Sequence, residues 1–257
     1  MISRYRASLG GVQLDSLDDN IRILDIAYQP MEKQVNRHKT SDFDGFDISG
    51  ETFQGQSVTV VLEAHIYDTA KRNEAIQKIN KWAAAGGTLV TSDRKDQFLT
   101  VRCARYAAVE SVKKWTDPVR LIFETTTRPY WESSVQKVAT LSGANASGTL
   151  AVDGNTGKAM VGVEMTANAA ISAVKFTVGD TAIDIAGLSM TSGQKLIIDY
   201  LEGRYLRVRA NGSSVMNKII PENSTDLLLA DCGKSTAVKV FANARVTTKF
   251  LARGLWL

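Results

Sequence analysis

The sequence predicts a mainly β protein with an α+β N-terminal domain and a C-terminal antiparallel β-sandwich. Three observations support this fold class: apolar residues alternate along several segments, one segment has helical spacing, and beyond Trp131 turn dipeptides separate short strands. The predicted domains are residues 1–132 and 133–257, because the chain becomes rich in Ser, Gly, Ala and Asn directly after Trp131.

The N-terminal domain combines strands with a single helix. The segment "SVTVVLEAHIY" alternates between two faces, which predicts a long strand with one face more buried. Directly after it, a helix is predicted over about residues 69–85, capped by Asp68 and stopped by Gly86. Three more strands are predicted in "GTLVTS", "QFLTVRCARYAAV" and "PVRLIFETTTRPYW". We expect a small sheet or sandwich with the helix packed on it. The apolar residues with helical spacing are Ala75, Ile76, Ile79, Trp82 and Ala83.

The C-terminal domain shows short strands and no helical period. "AVKFTVGDTAIDIAG" predicts two strands around Gly179, and "KLIIDYLEGRYLRVRANGSSV" predicts two more around Gly203. The dipeptide Asn211-Gly212 is a strong hairpin signal. "TAVKVFANARVTTKFLARGLWL" is expected to supply a closing pair of strands. Regular short strands without intervening helices favour an antiparallel sandwich.

Composition excludes several classes of protein. With 44% apolar and 23% charged residues, the chain resembles an ordinary soluble globular protein, and no apolar run is long enough to span a membrane. Asp15, Asp18 and Asp19 stand where a signal peptide needs apolar residues, so export by that route is not expected. Cys103 and Cys232 lie far apart in strand-like sequence, which favours two buried thiols in a reducing cytoplasm over a disulfide.

The net charge of +4 is carried by the C-terminal half. Residues 1–133 hold 18 basic and 18 acidic residues, which leaves 31 − 18 = 13 basic and 27 − 18 = 9 acidic residues for the remainder. These charges are scattered, so they do not indicate a nucleic-acid surface. In "GRYLRVRANG", Tyr205, Arg207 and Arg209 share one strand face, which we interpret as a solvated face rather than a phosphate-binding stripe.

No combination of residues predicts catalysis, a cofactor or a metal. The two histidines, His38 and His65, are expected to be solvated or hydrogen-bonded to neighbouring groups. No nucleophile, zinc or phosphate-loop motif is present. The acidic segment "TSDFDGFDISG", residues 40–50, resembles a calcium loop at first sight. Counted from Asp42, however, the sixth position is Asp47 instead of glycine and the twelfth is Phe53 instead of glutamate. We therefore expect neither an enzyme nor a cation site.

A carbohydrate-binding module that contacts host-surface glycans is the alternative function. Sandwich domains often bind sugars through exposed aromatic rings. Phe176 and Tyr200 are in phase with core residues, which leaves Tyr205, Phe241 and Trp256 as candidates for an exposed glycan platform.

Taken as a whole, the chain resembles the distal tail protein (Dit) family of long-tailed bacteriophages. The similarity lies in the order of five features of the first half: the aromatic-glycine-aromatic loop of Phe43, Gly45 and Phe46, the strand "VTVVLEAHI", a helix ending near Trp82, the strand "DRKDQFLTVRCARY", and a last strand closing on "RPYW". The second half is similar to the galectin-like or carbohydrate-module-like second domain of that family, with its "KLIID" hairpin and final strand.

The resemblance implies a structural protein of the virion tail tip, assembled in the host bacterial cytoplasm. It implies a homo-hexameric ring built by the N-terminal domains, with an arm from each subunit lying across its neighbour. The implied partners are the major tail tube protein, the tail hub, the tape-measure protein and receptor-binding or baseplate proteins, with DNA only in transit through the ring lumen. Longer members insert sugar-binding domains, for which this chain has no room, so a scaffold role is expected over direct glycan recognition.

A ring subunit needs exposed apolar groups for its heterologous contacts. Such groups are clustered in the polar segment before the long strand, so we predict a subunit interface there. The alternative is that these aromatic residues fold back on their own domain. The predicted interface residues are Arg37, Phe43, Phe46, Ile48 and Phe53.

Overall fold

The computed structural model describes residues 5–29, 31–38, 47–108, 118–201 and 205–257. The chain divides into two compact units, Met1–Trp131 and Glu132–Leu257. Antiparallel strands dominate, and one α-helix occurs in the described ranges. The mainly β fold that the sequence predicts is therefore confirmed. Within the same ranges, no helix is both long and apolar enough to span a bilayer.

The first unit is built on one antiparallel sheet. In it the strand order is β2-β1-β7-β8-β9-β6-β3, while β4 and β5 form a separate two-stranded sheet. In chain order the elements are β1 (Ala7–Leu9), β2 (Val12–Gln13), β3 (Ile21–Tyr28), β4 (Lys33–His38), β5 (Asp47–Phe53), β6 (Ser57–Ala64), α1 (Thr69–Ala84), β7 (Gly87–Thr91), β8 (Gln97–Arg105) and β9 (Val119–Thr125).

Helix α1 has the cap and the buried stripe that its sequence predicts. The carboxylate of Asp68 accepts hydrogen bonds from the backbone amides of Ala70 and Lys71, at 2.8 and 3.2 Å. Trp82 is buried in the unit's core, where its ring meets that of Phe123 edge to face at 5.9 Å. Its indole Nε1–H donates to the carbonyl of Val12 at 2.9 Å, so Trp82 fixes the C-terminal part of the helix to both β2 and β9.

The second unit contains only strands and short 3₁₀ turns in its described part. Strand β10 (Trp131–Val152) begins at the last residue of the first unit. The other strands are β11 (Lys158–Ala167), β12 (Ile171–Val178), β13 (Thr181–Met190), β14 (Lys195–Leu201), β15 (Tyr205–Ala210), β16 (Ser213–Ser214), β17 (Leu229–Asp231) and β18 (Lys234–Trp256).

The described turns between these strands have the backbone conformations that their sequences predict. Gly179, between β12 and β13, has a φ of 53°, which suits a residue without a side chain. Asn211 and Gly212 both have positive φ, 49° and 86°, as a two-residue hairpin between β15 and β16 requires. The turn around Gly203 lies outside the described residues.

The C-terminal segment is one long strand rather than the predicted closing pair. Residues 238–242 of β18 pair with β12, and residues 246–252 pair with β11. Between the two stretches, the side-chain Oδ1 of Asn243 accepts hydrogen bonds from the amides of Ser172 and Ala173, at 2.9 and 3.1 Å. Because Asn243 accepts the hydrogen bonds of these two amides, β18 continues from its pairing with β12 to its pairing with β11 without a loop.

Strand β10 folds back on itself. The ammonium of Lys137 lies 2.8 Å from the carboxylate of Asp153, whereas a straight strand would separate these residues by roughly 50 Å at about 3.3 Å per residue. Gly143, with a φ of 145°, lies between them. A Cβ on Gly148 would lie 2.8 Å from Cδ2 of Leu141, so the Leu141 side chain packs against the backbone of the returning arm. The Ser- and Gly-rich stretch that marks the predicted domain boundary is thus extended backbone.

The core of the second unit lies between its strands. The rings of Phe176 on β12 and Phe250 on β18 meet edge to face at 6.3 Å, and neither side chain is exposed to solvent. Thr248, two residues before Phe250, is also fully buried. Alternate residues of β18 therefore face this core along both of its pairing stretches.

Candidate functional site

The β4–β5 ribbon contains the described part of the predicted subunit interface. We use the name ribbon for the two-stranded sheet of residues 33–38 and 47–53, which pair with each other and, among described strands, with no other. The register places Arg37 opposite Ile48 and Lys33 opposite Phe53. Phe43 and Phe46 lie outside the described residues.

The base of the ribbon is held by the main sheet of the first unit. The amide of Gln29 donates to the carbonyl of Ser57 at 3.0 Å, and the amide of Gln54 donates to the carbonyl of Glu32 at 2.9 Å. The ribbon therefore continues the β3–β6 pair. Gln56 is buried and exchanges backbone and side-chain hydrogen bonds with Thr125 of β9, at 3.0 Å each. These contacts fix where the ribbon leaves the sheet.

A two-stranded ribbon has two edges with unpaired backbone amides and carbonyls. Such edges are ready to accept a strand from another chain, and an isolated two-stranded hairpin is marginally stable in water. The geometry therefore suits an element that completes its hydrogen bonding on a second protein surface.

The predicted glycan platform is distributed over separate parts of the second unit. Tyr205 is 62% exposed at the start of β15, opposite Leu201, and Phe241 is 45% exposed on β18, opposite Lys175 of β12. Trp256 is half-buried at the end of β18, beyond the last residue that pairs with β11. In the strand register, none of the three rings lies opposite a residue that is also opposite another of them. The glycan platform therefore stays a prediction.

The strand face with Tyr205, Arg207 and Arg209 contains a clamp around one carboxylate. Asp199 of β14 accepts two hydrogen bonds from Arg207 and one from Arg209, all at 2.7 Å. The hydrogen bonds from Arg207 lower the pKa of Asp199, against the opposing effect of its partial burial. The two arginines are thus engaged within the protein and are not a free phosphate-binding stripe.

Replacing Asp199 by asparagine should destabilise the second unit by about 1–2 kcal/mol at pH 7, because two neighbouring guanidinium groups then lack their shared carboxylate. A carboxylate with a lowered pKa stabilises the fold above its ordinary pKa of 3.8 and loses that effect as pH falls. The difference between wild type and Asp199→Asn, measured by urea unfolding, should therefore shrink below about pH 4.

The matched control is Asp231→Asn, because Asp231 lies 3.9 Å from Lys158 in a more exposed ion pair. We expect it to change the free energy of unfolding by less than about 0.5 kcal/mol. Equal effects of the two substitutions at pH 7 would show that the clamp is no stronger than a surface pair.

In the described part of the chain, no group of three or more His, Cys, Asp or Glu side chains is placed to hold a metal ion. Cys103 and Cys232 form no disulfide, as predicted, but they are half-buried rather than buried. Burial raises the pKa of the Cys103 thiol, which disfavours the reactive thiolate.

The fold has a solved counterpart in a protein of the bacteriophage tail. The structure of the Dit protein of phage SPP1, described as a paradigm of the hub adsorption apparatus in phages that infect Gram-positive bacteria, superposes with a TM-score of 0.72 and 13% identity. The match covers 97% of this chain and 98% of that chain. This chain therefore has the Dit fold.

Two structures of the phage p2 baseplate in its activated conformation are also similar. The calcium form has a TM-score of 0.46 and 9% identity, over 94% of this chain and 98% of that one. The strontium form has a TM-score of 0.48 and 9% identity, over 97% of both chains. No protein-family model and no curated protein sequence matches the chain.

Proposed function

We propose that this chain is a structural, non-enzymatic protein of a bacteriophage tail tip. In this role it forms a hexameric ring that joins the tail tube to the tail hub and offers a docking surface to baseplate or receptor-binding proteins. The observation that carries the proposal is the agreement of fold with SPP1 Dit over nearly the full length of both chains, at a TM-score of 0.72.

The ribbon favours a ring-forming role over the role of a monomeric protein. Its two edges are unpaired among the described strands, and its base is anchored in the sheet by hydrogen bonds from Gln29 and Gln54. A closed ring uses one heterologous contact repeatedly, and a projecting ribbon supplies one side of such a contact. Ring subunits assembled in the host cytoplasm would then bind the major tail tube protein on one side and the tail hub on the other, near the tape-measure protein.

The oligomeric state tests this proposal. Native mass spectrometry and multi-angle light scattering of the full chain at tens of micromolar should show a hexamer, or two hexamers stacked. Assembly only after addition of the major tail tube protein would also agree with the role. A chain that stays monomeric both alone and with that partner would overturn it.

A further inference from the structure

We propose that segment 216–227 is a cover that prevents the free edge of β13 from pairing with β13 of a second copy. We call this segment the strap. It connects β16 with β17 and contains two short 3₁₀ turns, Met216–Lys218 and Pro221–Asn223. The inference concerns the second unit by itself and does not rest on the ring proposal.

Strand β13 lies at an edge of its sheet. It pairs with β12 on one side, and among the described strands it has no partner on the other. In an antiparallel pair, every second residue directs its backbone amide and carbonyl away from the partner strand. A free edge of this kind is a template for a strand of another chain.

The strap binds the four backbone groups that Ala182 and Asp184 present on the free edge. The amide of Ile220 donates to the carbonyl of Asp184 at 2.9 Å, and the amide of Thr225 donates to the carbonyl of Ala182 at 2.7 Å. The amide of Ala182 donates to Oγ1 of Thr225 at 3.2 Å. The amide of Asp184 donates to Oγ of Ser224 at 2.9 Å. An incoming strand therefore meets backbone groups that are already bound.

The strap does not itself become a new strand edge. Two of the four hydrogen bonds are accepted by side-chain hydroxyls instead of backbone groups, and 3₁₀ turns interrupt the strap backbone. Pro221, at the start of the second turn, has no amide to donate. A segment with this shape cannot extend the sheet, so the sheet ends at β13.

The strap makes its contacts at the edge rather than in the core. It is flanked by the buried residues Val215 and Leu228, and the amide of Leu228 donates to the hydroxyl of Tyr200 at 2.9 Å. Between them, none of residues 216–227, all of which the structure describes, has a buried side chain. Removal of the strap would therefore expose the edge and leave the apolar core in place.

A second β13 matches the groups that the strap occupies. Two copies of the strand, related by a two-fold axis at Ile183, place Ala182 of each copy opposite Asp184 of the other. Each of these residue pairs exchanges two hydrogen bonds through the same amides and carbonyls that bind the strap. The charge of Asp184 does not oppose this pairing, because its carboxylate lies 4.0 Å from the ammonium of Lys175. The occupant of an uncovered edge is therefore a second copy of the same strand.

Replacing residues 216–227 by a Gly-Ser linker of equal length tests the cover in the full chain. Multi-angle light scattering at tens of micromolar should show a mass at least about doubled relative to wild type, whatever the oligomeric state of wild type. Adding Ala182→Pro to this variant removes an amide that the pairing needs, and an edge strand tolerates proline there. The mass should then return to the wild-type value.

Ser224→Ala with Thr225→Ala is a milder test that retains the strap backbone. Hydrogen exchange, followed by mass spectrometry of peptides that cover residues 181–187, should be at least about tenfold faster for the two amides that lose their acceptors. The swap Ser224→Thr with Thr225→Ser keeps both hydroxyls and should exchange like wild type. The matched control is Ser213→Ala with Ser214→Ala, whose exposed hydroxyls form no hydrogen bond in the described part of the chain.

Thermal midpoints from circular dichroism should lie within about 5 °C of wild type for all these variants. A linker variant with the mass of wild type would overturn the proposal, and so would a doubled mass that survives Ala182→Pro. Loss of the folding transition in the linker variant would also overturn it, because the strap would then belong to the core. Exchange in the double-alanine variant no faster than in its control would do the same. A monomeric wild type would count against the ring alone, since each mass is compared with wild type.

Discussion

Replacing residues 33–53 by Asn-Gly should abolish assembly of the proposed ring while the first unit stays folded. Glu32 and Gln54 are already joined by a backbone hydrogen bond of 2.9 Å, so a two-residue hairpin turn closes the shortened chain without strain. Because the ribbon supplies no strand to the described main sheet, its removal takes away contact surface and leaves the core intact. Sedimentation velocity should show the concentration for half-assembly raised at least about a hundredfold.

Two controls distinguish the loss of the ribbon from a loss of folding. Circular dichroism should show a thermal midpoint for the shortened chain within about 5 °C of wild type, which corresponds to roughly 1 kcal/mol. Phe43→Ser with Phe46→Ser retains the ribbon backbone and removes two predicted anchors, so an intermediate defect is expected. Normal assembly of the shortened chain would contradict the role of the ribbon.

Phe250→Ala should be the most destabilising single substitution considered for the second unit, at about 3–5 kcal/mol. The side chain is fully buried, meets Phe176 edge to face at 6.3 Å, and lies opposite Val163 in the β11 pairing. Truncation removes apolar contacts and leaves a cavity between strands that β18 holds in place. Denaturant unfolding, followed by intrinsic fluorescence, measures the loss.

Phe241→Ala is the matched control, because it makes the same truncation on the same strand at a position that is 45% exposed. It should cost less than about 1 kcal/mol in the isolated chain. If Phe250→Ala were as mild as Phe241→Ala, the packing described between β12 and β18 would be incorrect.

The sequence predicts the strands best where alternation is strong and turns are chemically distinctive. Val58, Val60 and Leu62 alternate with more exposed residues, and they are buried as a set in β6. Asn211 and Gly212 mark a hairpin because few other residue pairs accept positive φ at both positions. Asp68 and Gly86 likewise delimit α1 through groups that only a helix end uses.

Other features depend on contacts that no local pattern reveals. The continuity of β18 rests on hydrogen bonds from Ser172 and Ala173 to Asn243, which are about 70 residues apart in sequence. The clamp on Asp199 likewise has no local sequence signal, because the register of β14 against β15 decides which side chains meet.

The position of β18 in chain order has a consequence for biosynthesis. β10, β11 and β12 all pair with β18, and all three precede it by tens of residues. During translation at about 5–20 residues per second, these strands leave the ribosome several seconds before their shared partner. The second unit therefore spends that interval with open strand edges, and its folding waits on the last segment of the sheet to be made. This interval is when unpaired strand edges of the nascent chain are most exposed to aggregation.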